Sequence, residues 1–179
     1  MRKIVLTYGL IAGAILSILM VISLSFHDRI GFDRALIVGY TTMVIAFLMV
    51  FFGVKSYRDN LAPAGLSFGR AFLVGLLITL IGTACYVATW QLVQDRLAPD
   101  YMDKYAAYTL EEAQKSGASE AEIAEKAAEM AKFREMYKNP LVNIAFTFLE
   151  PLPVGLLFTL VSAGVLSRKR RPAGVPGPA

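Results

Sequence analysis

Residues 141–166 have the sequence LVNIAFTFLEPLPVGLLFTLVSAGVL, a continuous apolar stretch with one acidic residue, Glu150. A helix needs about 20 apolar residues to cross a bilayer core of about 30 Å, so this stretch is long enough to span a membrane. Three earlier stretches of similar length contain no charged residue, and they cover residues 4–26, 35–54 and 71–92. The pattern predicts an all-α integral membrane bundle of four transmembrane helices.

The composition supports this fold class. Of 179 residues, 56% are hydrophobic and 18% are charged, which excludes a disordered chain, a disulfide scaffold and an ordinary soluble enzyme. One cysteine, Cys85, permits no intrachain disulfide, and one histidine, His27, permits no multi-histidine metal site. No nucleophile elbow, phosphate loop or metal-binding motif occurs, so we expect no enzymatic activity, no cofactor, no metal and no nucleic-acid partner.

The first apolar stretch has an alternative interpretation as a signal peptide, because Arg2 and Lys3 precede it. It is longer than the roughly 7–15 apolar residues of a secretory signal, which favours an uncleaved helix. We therefore predict a single transmembrane domain over residues 1–170. The Pro- and Gly-rich segment 171–179 is expected to be a disordered tail.

Basic residues predict the orientation. Nine Lys and Arg residues lie in segments 2–3, 55–70 and 168–171 with one acid, whereas the nine on the opposite side accompany twelve acids. Because cytoplasmic loops are enriched in Lys and Arg, both termini are predicted to be cytoplasmic. Basic residues close to these membrane ends are expected to contact lipid headgroups. They are Lys55, Arg58, Arg70, Arg168, Lys169, Arg170 and Arg171.

The polar segment between spans three and four, residues 95–138, is predicted to be an extramembrane helical hairpin. Capping-box patterns begin at Thr109 and at Ser119, and Ser116-Gly117 between them indicates a helix end. This hairpin is either a solvated pair of helices on the membrane surface or a lid and partner-binding element.

Glu150 is the main candidate for a functional site. A charge near the middle of a bilayer costs at least about 2.5–3.5 kcal/mol, so we expect the group to be neutral, paired or in contact with water. Pro151 and Pro153 follow it and should bend the helix. Its expected neighbours at the same depth are Thr83, Tyr86, Tyr40 and Thr41. Glu150 is interpreted either as a polar residue that holds helices together or as a binding group for a proton, a cation or a polar ligand.

Small residues recur at helical spacing in two spans, as Gly9-x-x-x-Gly13 and as Ala71-x-x-x-Gly75 with Gly82 beyond. Such patterns let helices approach closely. They predict packing within the bundle, with a homodimer contact as the alternative.

Four short motifs occur in order along the chain: GVKSYRD at 53–59, LSFGRAF at 66–72, YKNP at 137–140 and EPLPVG at 150–155. In this order and spacing the chain resembles the domain-of-unknown-function 4199 family. The resemblance implies a four-span protein of the bacterial cytoplasmic (inner) membrane, with a long loop before the last span. It implies no catalytic residue.

Two functions stay open at this point. The first is a structural or accessory membrane protein that binds lipids, other membrane proteins or a second copy of itself as a homo-oligomer. The second is a small transporter or proton-coupled permease component centred on Glu150.

Overall fold

The computed structural model describes residues 1–26, 31–62 and 65–167, and all regular secondary structure in them is helical. The helices are α1 (Arg2–Ser25), α2 (Phe32–Leu61), α3 (Phe68–Leu97), α4 (Tyr101–Lys115), α5 (Glu120–Tyr137), α6 (Pro140–Leu149) and α7 (Leu152–Leu166). The predicted headgroup residues Arg168, Lys169 and Arg170 and the predicted tail 171–179 lie outside the described residues, as does His27.

In the described residues, four helical segments are long and apolar enough to cross a membrane, which confirms the predicted all-α class and indicates a multi-pass membrane protein. They are Arg2–Ser25, Arg34–Leu61, Phe68–Leu97 and Pro140–Leu166. The helices extend beyond the apolar stretches, since α2 continues past residue 54 and α3 past residue 92. Hydropathy marks where a helix leaves an apolar environment, whereas backbone hydrogen bonds continue through polar residues.

The third span occupies the centre of the bundle, because α3 packs against α1, α2, α6 and α7. The fourth span is divided at Glu150 and Pro151, where α6 ends and α7 begins after a turn. Pro151 lacks the N–H that would continue the hydrogen-bond ladder, which explains the break. α7 packs against both α2 and α3, whereas α6 packs against α3 and α5.

We call the part of the bundle that contains α7 and the first turns of α1 the terminal half. Its helices approach closely at small residues. A Cβ atom at Gly155 would collide with the side chain of Thr79, and one at Gly75 would lie 3.0 Å from Thr159. The Thr79 hydroxyl donates to the Gly155 carbonyl at 3.2 Å and lies 3.1 Å from the Thr159 hydroxyl. These contacts join α3 to α7.

The Gly9-x-x-x-Gly13 motif joins α1 to α3. A Cβ atom at Gly9 would lie 2.8 Å from Ile81, and one at Gly13 would lie 2.6 Å from Cys85. The structure therefore places the motif inside the bundle, as expected, rather than on a surface available to a second copy. Gly82 also faces α1, since its nearest neighbour is Ala12.

The hairpin segment contains α4 and α5, which contact each other. The capping box predicted at Ser119 is confirmed, because its hydroxyl accepts from the Glu122 N–H at 3.3 Å while the Glu122 carboxylate accepts from the Ser119 N–H. The end of α4 is also confirmed, with Gly117 at φ 80°. The capping box predicted at Thr109 is wrong. α4 already begins at Tyr101, so Thr109 is an interior residue and its hydroxyl donates to the Tyr105 carbonyl at 2.8 Å.

Candidate functional site

A cavity of about 560 Å³ lies in the other part of the bundle, which we call the hairpin half because α4 forms part of the cavity wall. α1, α2, α3 and α6 supply the rest of the wall together with Tyr137 at the end of α5. Most lining residues are apolar or aromatic. Among the described residues, Glu150 is the only acidic or basic side chain on this wall.

The cavity follows from the break in the fourth span. On the C-terminal side of the break, α7 packs against α2 and α3 and fills the space between them. On the N-terminal side, α6 packs against α3 and α5 instead, and the space between α6 and α2 stays open. Pro151, which is buried, therefore determines where the filled part of the bundle ends.

The Glu150 carboxyl group is exposed to this cavity, although protein surrounds it on most sides. The Tyr86 hydroxyl donates a hydrogen bond to Glu150 Oε2 at 2.9 Å. In the described part of the chain this is its one hydrogen-bond donor, and no cationic side chain forms an ion pair with it. A carboxyl group in this position has unused capacity to accept hydrogen bonds or to pair with a cation.

Aromatic residues dominate the rest of the wall. It contains the single tryptophan, Trp90, and six of the eight tyrosines. These tyrosines are Tyr40, Tyr86, Tyr101, Tyr105, Tyr108 and Tyr137. Trp90 is 7% exposed, and its indole N–H lies near the Tyr137 hydroxyl without a well-formed hydrogen bond to the described residues. Its ring meets that of Tyr101 edge-on at a centroid distance of 5.4 Å.

Three of the tyrosines, Tyr101, Tyr105 and Tyr108, attach α4 to the bundle. They lie on one face of α4, because residues at i, i+4 and i+7 of a helix share a face. All three contact the ring of Phe32 at the start of α2, with centroid distances of 5.8, 6.0 and 5.2 Å. On α5, Phe133 contacts Phe146 of α6 edge-on at 5.1 Å. The hairpin segment is thus held against the bundle beside the cavity.

Two of the hydroxyl groups that the hairpin segment contributes, those of Tyr101 and Tyr137, are neutral hydrogen-bond donors. Burial raises the pKa of Tyr101 above its ordinary value, and the nearby Glu150 carboxylate raises it further. Burial also raises the pKa of Tyr137, which Thr147 and Trp90 partly oppose because they stabilise the phenolate. Both groups therefore keep their protons at neutral pH.

A ring of three amide side chains fixes α6 to α3. Gln91 Nε2 donates to Asn143 Oδ1 at 2.6 Å, Asn143 Nδ2 donates to Gln94 Oε1 at 2.9 Å, and Gln94 Nε2 donates to Gln91 Oε1 at 3.3 Å. Asn143 is buried, so this network replaces the hydrogen bonds that water would otherwise provide. It holds the cavity wall in place without filling the cavity.

Two residues predicted beside Glu150 lie on the cavity wall. Tyr86 forms the hydrogen bond described above, and Tyr40 contributes to the wall from α2.

Three others do not lie on it. Thr83 is fully buried and its hydroxyl has no partner in the described part of the chain. Thr41 is exposed and its hydroxyl donates to the Ile37 carbonyl of its own helix, and Pro153 is exposed on α7. Consecutive helical residues point about 100° apart, so depth alone could not separate Tyr40 from Thr41.

The predicted headgroup residues lie at the opposite end of the molecule. Lys55 and Arg58 are on the last turns of α2, and Arg70 is on the first turn of α3. Arg58 forms an ion pair with Asp59 at 2.9 Å, while Lys55 and Arg70 are exposed. The described residues contain no group of three or more His, Cys, Asp or Glu side chains that could hold a metal ion.

The sequence analysis missed the tyrosine face of α4 and the amide ring. The spacing of Tyr101, Tyr105 and Tyr108 was visible in the sequence and indicates a shared face. Nothing comparable marks the amides, since Gln91 and Gln94 lie 49 or more residues from Asn143.

A family described as "Protein of unknown function (DUF4199)" matches residues 7–168. Neither the curated proteins nor the solved structures contain a match to the chain.

Proposed function

Because the chain belongs to the DUF4199 family, whose description names no activity, we propose its function from the cavity: it is an integral membrane protein that binds a small amphiphilic molecule. The observation that carries this proposal is a cavity of about 560 Å³ with one carboxyl group on a mainly apolar and aromatic wall. This narrows the accessory-protein hypothesis to the binding of a lipid-like ligand.

The size and chemistry of the cavity support this function. Sites for small molecules typically have volumes of about 300–1,000 Å³, with mainly hydrophobic walls and a few polar groups that orient the ligand. Here the polar groups are the Glu150 carboxyl and the Tyr86 hydroxyl, which form a hydrogen bond with each other. Both lie on a largely apolar wall. An amphiphile matches this division, since its headgroup would meet the carboxyl and its chain the apolar wall.

The cavity is not fully enclosed, and we infer that it has a side opening. Leu36 and Tyr40 on α2, and Phe146 and Leu149 on α6, both line it and are exposed at the surface of the bundle. The opening therefore lies between α2 and α6, on a face that lipid would cover in a membrane. An amphiphile could enter by this route without leaving the bilayer.

Trp90 permits a direct test, because it is the only tryptophan and lies on the cavity wall away from the outer surface. Protein in dodecyl maltoside micelles would be titrated with the same detergent brominated on its alkyl chain. We expect saturable quenching of Trp90 fluorescence at a low fraction of brominated detergent.

Three variants serve as controls. Trp90→Phe combined with Phe52→Trp moves the fluorophore to an exposed site, where quenching should rise in proportion to the brominated fraction. Gly39→Leu adds a side chain inside the cavity and should abolish saturable quenching, whereas Gly164→Leu adds one outside it and should not. A Cβ atom meets nothing within 4 Å at either glycine. Absence of saturable quenching in the natural protein would refute ligand binding here.

Proton-coupled transport is the second candidate, favoured by the accessible Glu150 beside a helix break. It predicts pH-dependent substrate flux into liposomes that Glu150→Gln abolishes. Equal flux in both proteins would exclude it.

We also propose that the protein resides in the bacterial cytoplasmic membrane with both termini in the cytoplasm. The distribution of Lys and Arg supports this orientation. Reporter fusions at residue 1 and within 116–119 should then report opposite sides of the membrane.

A further inference from the structure

Resting on the proposed function, we propose that the ligand is a cationic amphiphile, an amine or quaternary ammonium compound with an apolar chain. Its charged head would lie between the Glu150 carboxylate and the aromatic rings of the cavity wall.

The charge of the wall supports a cation. Glu150 is its only acidic or basic side chain among the described residues, and its one hydrogen bond comes from the neutral Tyr86 hydroxyl. An ionised carboxylate in an apolar environment is costly unless it is paired. The chain provides no such partner on the described wall, so a ligand with a positive charge would supply it.

The aromatic residues support the same chemistry. Trp90 lies one helical turn beyond Tyr86 on α3, and Tyr101 contacts the Trp90 ring from α4. Cations are attracted to the faces of Trp and Tyr rings, most strongly where water is excluded. The pKa of Tyr101 is raised by burial and by Glu150, so this hydroxyl stays neutral and would not itself compete as an anion.

A phospholipid headgroup fits less well, although it can carry the same ammonium group. Its phosphate would enter a space that already contains Glu150, with no Lys or Arg on the described wall to receive it. Two negative charges within one cavity repel each other strongly in a medium of low dielectric constant. The geometry therefore favours an amphiphilic amine without a phosphate.

Three probes with matched alkyl chains separate these cases: dodecyltrimethylammonium, neutral monolauroylglycerol, and lauroyl lysophosphatidylethanolamine. Each would be titrated into the full-length protein in maltoside micelles, with Trp90 fluorescence as the readout. We expect dodecyltrimethylammonium to bind at least about tenfold more tightly than the other two, since the glycerol probe has no positive charge and the phosphate of the third probe offsets its ammonium group.

Glu150→Gln should weaken the binding of dodecyltrimethylammonium and so remove that preference, while monolauroylglycerol still binds. Retained binding of the neutral probe shows that the variant is folded and its cavity intact. Glu129→Gln makes the same chemical change on the exposed surface of α5 and should keep the preference of the natural protein.

Two results would overturn the inference, and they differ in what else they affect. Equal affinity for the cationic and neutral probes, unchanged by Glu150→Gln, refutes the cationic ligand but leaves the proposed amphiphile binding intact. No fluorescence response to any of the three probes refutes both.

Discussion

The terminal half and the hairpin half of the bundle are formed by the same four spans, but the spans pack closely in the first and enclose a cavity in the second. In the terminal half, glycines let helices approach until side chains fill the space between them, as at Gly155 and Thr79. In the hairpin half, large aromatic residues together with aliphatic ones line an open cavity. Polar groups follow the same division, since the Thr79 and Thr159 hydroxyls bond each other while the Glu150 carboxyl is accessible.

From this difference we infer that one break in a helix divides the bundle into a part that determines its stability and a part that binds the ligand. Because of the turn at Glu150 and Pro151, α7 packs closely against α2 and α3 while α6 does not pack against α2. We expect substitutions in the terminal half to change stability, and substitutions on the cavity wall to change ligand affinity. The predictions below test that separation, beginning with the largest effect.

The largest effect is expected from Gly155→Leu. A side chain here would collide with Thr79 and Phe47, so the fourth span could not approach α3. We expect a loss of about 3 kcal/mol or more in the free energy of unfolding. Chemical denaturation in micelles would measure it.

Gly164→Leu is the matched control, because the added side chain meets open space on the same helix. Its effect should stay within about 0.5 kcal/mol. Similar losses in the two variants would contradict close packing at Gly155.

Asn143→Leu should have the next largest effect, because it removes one member of the amide ring. Gln91 Nε2 then loses its acceptor and Gln94 Oε1 loses its donor. We expect a loss of about 2 kcal/mol. Since this ring holds α6 beside the cavity, the emission of Trp90 should also shift. A change in stability without any change in emission would show that the ring does not shape the cavity.

Thr79→Val tests the polar contact in the terminal half. The variant keeps the shape of the side chain but loses the hydrogen bonds to the Gly155 carbonyl and the Thr159 hydroxyl. We expect a loss of about 1 kcal/mol, typical of hydrogen bonds between membrane helices, with unchanged ligand binding. In the control Thr41→Val, the lost bond lies within one exposed helix, so stability should change less.

The smallest effect is expected at the start of α5, in a part of the hairpin segment that does not line the cavity. Hydrogen bonds from the Ser119 N–H and hydroxyl lower the pKa of Glu122. A carboxyl group with a lowered pKa in the folded state stabilises that state above its ordinary pKa near 4.5, and the contribution disappears as the pH falls through the lowered value.

Acidification should therefore loosen the start of α5, which the Ser119 amide signal in NMR spectra would report. Glu122→Gln should remove this pH dependence, and Glu129→Gln should preserve it. Ligand affinity should stay the same in both variants, which would separate the Ser119 cap from the cavity.

Much of the fold was predictable because it depends on local properties. The length and hydropathy of residues 4–26, 35–54, 71–92 and 141–166 predicted the four long apolar helices that the structure contains. The Ser119 capping box followed from a short pattern. The prediction at Thr109 failed because the same pattern occurs inside a helix that begins earlier, where the capping residue has no free N–H groups to serve.

The candidate site was only partly predictable. Glu150 stood out because an acid within an apolar stretch is costly, and the count of residues along the spans indicated Tyr86. The same count also suggested Thr83 and Thr41, because it estimates depth but not the direction in which a side chain points. The amide partners of Asn143 required knowledge of which helix faces which.

By itself, the sequence predicted four long apolar helices typical of a multi-pass membrane protein and singled out Glu150 as the acid within the last of them, since these follow from hydrophobicity and backbone hydrogen bonding over a few turns. Only the tertiary structure decided that α6 does not pack against α2 and that six tyrosines from four helical segments share the cavity wall with Glu150. The reason is physical: a cavity is a property of the space between elements, and no local pattern specifies that space.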